Sequence, residues 1–376
     1  MEWLPWLKKG VWKSDTSMLR HFHWSGKSGI RLKICFRVDA GNKIGMGHLM
    51  ESLALAGSLK KKITEEIVFI ANSPAIKIIE KNGHKAVKIN DQINEKEEVS
   101  FIKDILRKSG CQCLIINLPG KDSSFFNKLE SGAEKTAVIL DDAEHRPIKA
   151  DIVVNYSITQ EEKYYLSLPQ SKTLYYIGPK YALQPEILHK SWKQEKYIPD
   201  QCRAILLNQG GSDPFGLTIR IIKELELLNL KQVIYILTGQ EMLPKHKNEI
   251  EKTKPFLKNN YRFMDSITQE KVYELMAECD LAITAAGNTL YELAVFGVPS
   301  ITVCHHELHN KVAGKFAERK AVINLGEGLK LRDGIIAKTV HNLINSKEER
   351  IFLNGNIKRI ADGLGSKRVA ERILEC

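Results

Sequence analysis

The sequence predicts an α/β protein: two doubly wound, mainly parallel sheets facing each other across a cleft. Three observations lead there. From Arg31 onward, short β-branched runs alternate with amphipathic helical stretches, the rhythm of βα units whose sheets are covered on both faces. That rhythm breaks once, in the proline-punctuated and charged stretch "ALQPEILHKSWKQEKYIPDQ", and then restarts. The 376 residues suffice for two such cores. The expected division is an extension over 1–30, a first domain over 31–190 and a second over 200–376.

In the first half the strands are read in "LKICFRV", "EIVFIAN", "CLIINLP", "TAVILDD", "DIVVNYS" and "TLYYIG". "HLMESLALAGSLKKK" and "EKEEVSFIKDILRKSG" are read as helices between them, and the basic stretch "KNGHKAVKIN" as a solvated helix face. In the second half the strands are "RAILLNQGG", "QVIYILTG", "YRFMDS", "LAITAAG" and "SITVCHH". The closing stretch "KEERIFLNGNIKRIADGLGSKRVAERILEC" reads as one long helix able to cross back over the domain junction. Ligands of doubly wound sheets bind beyond the carboxyl ends of the strands, so the turns at those ends carry the functional reading.

Composition narrows the classes. Hydrophobic residues make up 43% and charged residues 27%, an ordinary globular balance. Apolar runs are strand-sized, which excludes an integral membrane protein, and "MEWLPWLKKGVWKSD" lacks the apolar core of a secretory signal. Seven scattered cysteines without a CxxC pair read as free thiols in a reducing compartment. The expected location is cytoplasmic. The net charge of +11 is spread over many elements and forms no single stripe, so an anionic small molecule fits better than nucleic acid. Four of the five tryptophans fall in the first thirty residues, an aromatic and basic extension expected to pack on the body or to be partly disordered, with a peripheral membrane or partner-docking arm as the alternative. The sequence carries no signal for oligomeric state.

The first strand runs into "RVDAGNKIGMGHLME". Gly45 and Gly47 permit a tight turn with free N–H groups at a helix mouth, a natural anion site. The dinucleotide fingerprint would need a third glycine where Met50 stands. At that mouth sits His48. A helix N-terminus disfavours added positive charge, so His48 is expected neutral and able to serve as a general base; a capping or phosphate-contacting histidine is the alternative. Arg37 and Asp39 share one face at the end of the strand and are expected either to reach the cleft or to pair with each other. Asp141 and Asp142, ending another strand, are candidates to orient His48.

In the second half "LLNQGGSDPFGLT" and "LAITAAGNTLYELAVFGVPSI" place two more glycine turns at helix mouths, with Pro214 suited to a first helical turn. Gly287, Asn288 and Thr289 suit a pyrophosphate, and Glu292, one turn on, suits ribose hydroxyls. "VCHHELHN" holds His305, His306 and His309, but a zinc HExxH helix would need histidine at 310, where Asn310 stands. No metal site is expected.

Together "RVDAGNKIGMGHLMESLALA", "VILDDAEHR", "YIGPKYALQPE", "GGSDPFGLT" and "AAGNTLYELAVFGVPSI" resemble, in order, the landmarks of the PseG/SpsG family of nucleotide-sugar hydrolases. The resemblance implies a GT-B architecture, two Rossmann-like domains related to the MurG glycosyltransferase. It implies removal of UDP from a diacetamido-trideoxy-altrose in pseudaminic acid biosynthesis, with no metal or redox cofactor. It places the catalytic histidine on His48, turned by Gly45 and Gly47. It places UDP on Gly287, Asn288, Thr289 and Glu292, with Gly211 and Ser212 near the phosphates and Asn310 among the substrate-binding residues, although the family's later Asn-Gln element appears here as His309-Asn310. The chain departs from the family where Glu51-Ser52 replaces the usual Arg-Cys. The expected activity is hydrolysis of a UDP-linked N-acetylated amino or deoxy sugar. A glycosyltransferase on the same fold and a non-catalytic nucleotide-sugar binder are the alternatives.

Overall fold

The computed structural model describes residues 29–41, 44–129, 132–168, 172–239 and 241–375, so the aromatic extension lies outside the described residues except for its last two positions. Strands β1 (Ile34–Val38), β2 (Ile67–Ala71), β3 (Lys85–Lys88), β4 (Cys113–Asn117), β5 (Lys135–Leu140), β6 (Ile152–Asn155) and β7 (Leu174–Ile177) form the first sheet. Its order is β3-β2-β1-β4-β5-β6-β7. The second sheet contains β8 (Ala204–Asn208), β9 (Val233–Thr238), β10 (Asn260–Asp265), β11 (Leu281–Thr284), β12 (Ser300–Cys304) and β13 (Ile323–Glu327), in the order β10-β9-β8-β11-β12-β13. All pairings within both sheets are parallel.

The central strands are apolar because helices cover both of their faces: every residue of "ICFRV", "IVFIA" and "CLIIN" is buried. The edge is different. "KAVK", expected within a helix face, is strand β3, and the exposed lysines at its two ends blunt an open sheet edge. Strand β13 also went unread from sequence; its glycine and the register shift opposite β12 weaken the alternating pattern.

Register decides where the loops emerge. Val38 pairs with Asn117 across β1 and β4, and Asn208 pairs with Thr284 across β8 and β11. In each sheet these two strands flank the point where strand order reverses, which opens a crevice at their carboxyl ends. The two crevices face each other. Between them one apolar cluster runs on from Leu49 and Leu53 of the first domain to Leu290, Tyr291 and Leu293 of the second.

The closing stretch is two helices, Lys347–Ile357 and Gly365–Glu375, separated by a turn in which Gly363 takes φ +74°. The second of them packs on the Gly47–Lys60 helix of the first domain. Gly365 lies so close to Ala182 that an added Cβ would come within 2.0 Å of its carbonyl oxygen, so the seam requires glycine. No helix among the described residues is long and apolar enough to cross a membrane.

Candidate active site

After β1 the chain turns through Gly41 (φ +129°) and Gly45 (φ +81°) and enters the Gly47–Lys60 helix. His48 is its second residue, and its side chain is 12% exposed. The ring is held by Asn117, the last residue of β4, with Nδ1 3.0 Å from Asn117 Oδ1. The Asn117 amide donates to the His48 carbonyl at 3.1 Å and to Glu51 Oε2 at 3.0 Å. Those donations turn Oδ1 toward the imidazole, so the network assigns the proton to Nδ1 and leaves Nε2 as the working nitrogen.

Glu51, one turn further along, is 4% exposed. Its Oε1 accepts from the Tyr156 hydroxyl and from the Asn288 side-chain amide of the opposite domain. Tyr156 also donates to Asn288 Oδ1 at 3.1 Å, and the Tyr291 hydroxyl accepts from the Ile158 amide at 3.0 Å. The two helix mouths therefore meet: a Cβ on Gly47 would stand 2.7 Å from Asn288 Nδ2. A larger residue at 47 would have to push the Asn288 amide aside.

The protonation of His48 runs opposite to the sequence expectation. Burial alone would lower the imidazole, but Glu51, the charge of Asp141 and the Asn117 hydrogen bond push it up to about 9. Two nearby carboxylates outweigh the helix terminus, so the ring is a cation at neutral pH. Of the two aspartates proposed to orient it, Asp142 pairs with Arg146 at 2.5 Å. Asp141 is exposed to solvent yet closely surrounded by protein atoms, and this desolvation raises it against the opposing pull of His48.

Across the cleft a cavity of about 300 Å³ is lined from both domains, by Gly47, Met50, Glu51 and Tyr156 on one side and Gly210, Gly211, Asn288, Thr289 and Glu292 on the other. Glu292 accepts from the Tyr273 hydroxyl at 3.1 Å and from Gln269 at 3.3 Å, and burial pushes it up to about 7. Gly211 is backed against Gly239, where an added Cβ would fall 2.1 Å from the Gly211 carbonyl oxygen. The helix after this turn starts at Leu217, later than Pro214 implied, because buried Asp213 accepts from the amides of Leu217 at 2.8 Å and Thr218 at 2.9 Å.

The structure thus brings Gly47, Gly211, Asn288, Thr289 and Glu292 to one cavity, while Gly45 and His48 flank Gly47 without lining it, His48 turning its ring to Asn117. Arg37 and Asp39 do not join them. All five Arg37 N–H groups are committed, to Asp39 at 2.5 and 2.8 Å, to Glu98 at 2.6 and 2.9 Å and to the Val38 carbonyl at 3.1 Å. The pair is a buried ion network that Lys121 extends by binding Glu98 at 2.6 Å. Ser212, Gly287 and Asn310 do not line the cavity. Asn310 accepts from Asn324 at 2.8 Å instead. The rings of His306 and His309 are tilted against each other with centres 4.1 Å apart, and burial with the neighbouring imidazoles drives His309 down to about 3. Among the described residues no group of three or more His, Cys, Asp or Glu is arranged to hold a metal ion.

Sequence reading missed Asn117, Tyr156, Gln269 and Tyr273 and treated Glu51 only as a departure. Asn117 did carry a signal: a polar residue closing the all-apolar strand "CLIIN".

Two Rossmann-like domains whose switch points share one cleft define a GT-B-type protein. Residues 205–353 match the glycosyltransferase family 28 C-terminal domain. Protein MJ1062 of Methanocaldococcus jannaschii is 29% identical over 82% of this chain, which spans 63% of that protein's length. The spore coat polysaccharide biosynthesis protein SpsG of Bacillus subtilis is 25% identical over 88% of the chain and 94% of its own length. The UDP-2,4-diacetamido-2,4,6-trideoxy-beta-L-altropyranose hydrolase of Campylobacter jejuni is 23% identical over 77% of the chain and 97% of its own length. Among solved structures, Acinetobacter baumannii MurG superposes with TM-score 0.65 at 13% identity, covering 92% of this chain and 100% of its own. The UDP-GlcNAc 2-epimerase of Neisseria meningitidis, bound to UDP-GlcNAc, gives 0.63 at 12%, with the same two coverages of 92% and 100%. Over most of its length the chain is similar to the SpsG and UDP-sugar hydrolase proteins, and its fold is of the GT-B type.

Proposed function

We propose that the protein is a hydrolase that releases UDP from a UDP-linked N-acetylated amino or deoxy sugar of the diacetamido-trideoxy-altrose type, in surface polysaccharide biosynthesis related to pseudaminic acid. The observation that carries this reading is the meeting of two helix mouths, at Gly47 and Asn288, over a cavity lined by both domains with His48 beside it. The name of the Campylobacter relative supports the substrate class.

In this reading the second domain holds the nucleotide. Glu292 accepts hydrogen bonds from ribose hydroxyls, while Gly211 and the Asn288–Thr289 amides face the phosphates, where helix termini favour negative charge. The sugar crosses to His48. Water oxygen bonds to the anomeric carbon, the bond from that carbon to the diphosphate oxygen breaks, and its electron pair leaves with UDP. His48, held protonated, presents Nε2–H to the oxygen that gains charge. Asp141, the open carboxylate with a raised pKa, takes the proton from water.

The test is release of free UDP from a panel of UDP-linked N-acetylated sugars without any acceptor, comparing wild type with His48→Ala. Release that needs His48 supports the reading; no release from any member of the panel overturns it for that class. The family 28 domain match favours a second reading, transfer of the sugar to an acceptor hydroxyl. UDP release that appears only on adding acceptor separates the two.

A further inference from the structure

Glu51 occupies a position that needs explaining. A carboxylate this deeply buried is costly unless donors and an opposite charge surround it. Donors come from three elements: Asn117 at the end of β4, Tyr156 beyond β6, and Asn288 at the mouth of the helix in the other domain. The opposite charge is His48, whose Nδ1 lies 3.7 Å from Glu51 Oε2 across one helical turn. Asn117 touches both residues, so the imidazole cannot turn without disturbing the carboxylate.

We propose that Glu51 is a positioning residue: it keeps the His48 imidazole oriented and protonated, so that His48 meets its ligand as a hydrogen-bond donor and not as a base. The catalytic consequence rests on the hydrolase reading; the physical claim does not. Other charged groups also face this pair. Asp141 follows β5 and is the competing source of negative charge, while Asp142 is neutralised by Arg146. Tyr156 lies behind Glu51, and Glu292 approaches it from the second domain.

The experiment is an NMR titration of ¹³C-labelled histidine in the substrate-free full chain, with the His48 signal assigned by its loss in His48→Gln. Wild type, Glu51→Gln, Glu51→Asp and Asp141→Asn are compared. The wild-type midpoint is expected well above the ordinary value of about 6.5. Glu51→Gln should lower it by about one pH unit or more, and Glu51→Asp, which keeps the charge, should restore much of the difference. A folded Glu51→Gln protein with an unmoved midpoint overturns the proposal, and if Asp141→Asn alone moves it, Asp141 holds the proton instead. Should Glu51→Gln not fold, the wild-type curve still decides: a midpoint at or below the ordinary value overturns the proposal. Activity is a separate readout. If the titrations behave as expected and no UDP-sugar is cleaved, the hydrolase reading fails and this one stands. If cleavage occurs, the high-pH limb of the kcat profile should move down together with the His48 midpoint in Glu51→Gln.

Discussion

At the switch point of the first sheet, β1 and β4 deliver His48, Asn117 and Glu51; at that of the second, β8 and β11 deliver Gly210, Gly211, Asn288 and Thr289. The backbone geometry of the two is alike, a parallel strand followed by a glycine turn and a helix mouth. Their side chains are not. The first is crowded with titratable groups that alter one another's charge, whereas the second offers small residues, backbone amides and a single raised carboxylate, Glu292. In the proposed function one frame divides the work, with proton and charge chemistry on one lip of the cleft and nucleotide recognition on the other.

The largest effect that would break this division is on the first lip. His48→Ala should cut UDP release by about 10²–10⁴-fold with little change in KM, read in steady-state assays. A comparable loss seen only in KM would move His48 to the binding side. Arg37→Ala probes the same lip but should act on stability alone. It leaves the Glu98 carboxylate short of a partner and should cost about 3–5 kcal/mol in urea unfolding, toward the low end because Lys121 remains, with KM unchanged.

On the second lip, Glu292 should make UDP affinity depend on pH. In the proposed reading its carboxylate accepts ribose hydroxyls more strongly when ionised, so binding should tighten as pH rises through about 7. Calorimetry on Glu292→Gln should show about tenfold weaker binding at pH 8 and a flattened pH dependence. The same raised pKa means that the stabilising contribution of neutral Glu292 is full below its unfolded value of about 4.3 and is lost as pH rises through about 7. The smallest effect is expected at Asp213. Asp213→Ala removes the cap of the Leu217–Leu225 helix and should cost about 1–2 kcal/mol, read as a lowered urea midpoint, with kcat unchanged.

Much of the frame was legible in the chain because its central strands are buried on both faces and are apolar but for one residue near their carboxyl ends. "ICFRV" and "CLIIN" can be little else. Edge strands were harder to read: β3 is four residues with a lysine at each end, and solvation of that edge erases the apolar run that would have marked it. The glycine turns and His48 were legible from local spacing. Asn117 and Tyr156 were not, for they lie 69 and 105 residues from the partners they bind, His48 and Glu51.

The sequence by itself determined the two parallel cores, the turns at their strand ends and the histidine at one helix mouth, because each depends on neighbours within a few residues. Only the tertiary structure decided the charge on that histidine and the fate of Arg37. A local reading sees a helix terminus, which favours a neutral imidazole, and an arginine beside an aspartate at a cleft edge. Folding brings Glu51 and Asp141 to the imidazole and seals Arg37 against Glu98. Electrostatic interactions in a water-poor interior depend on distance in space, and that distance is set by strand order, which local spacing does not encode.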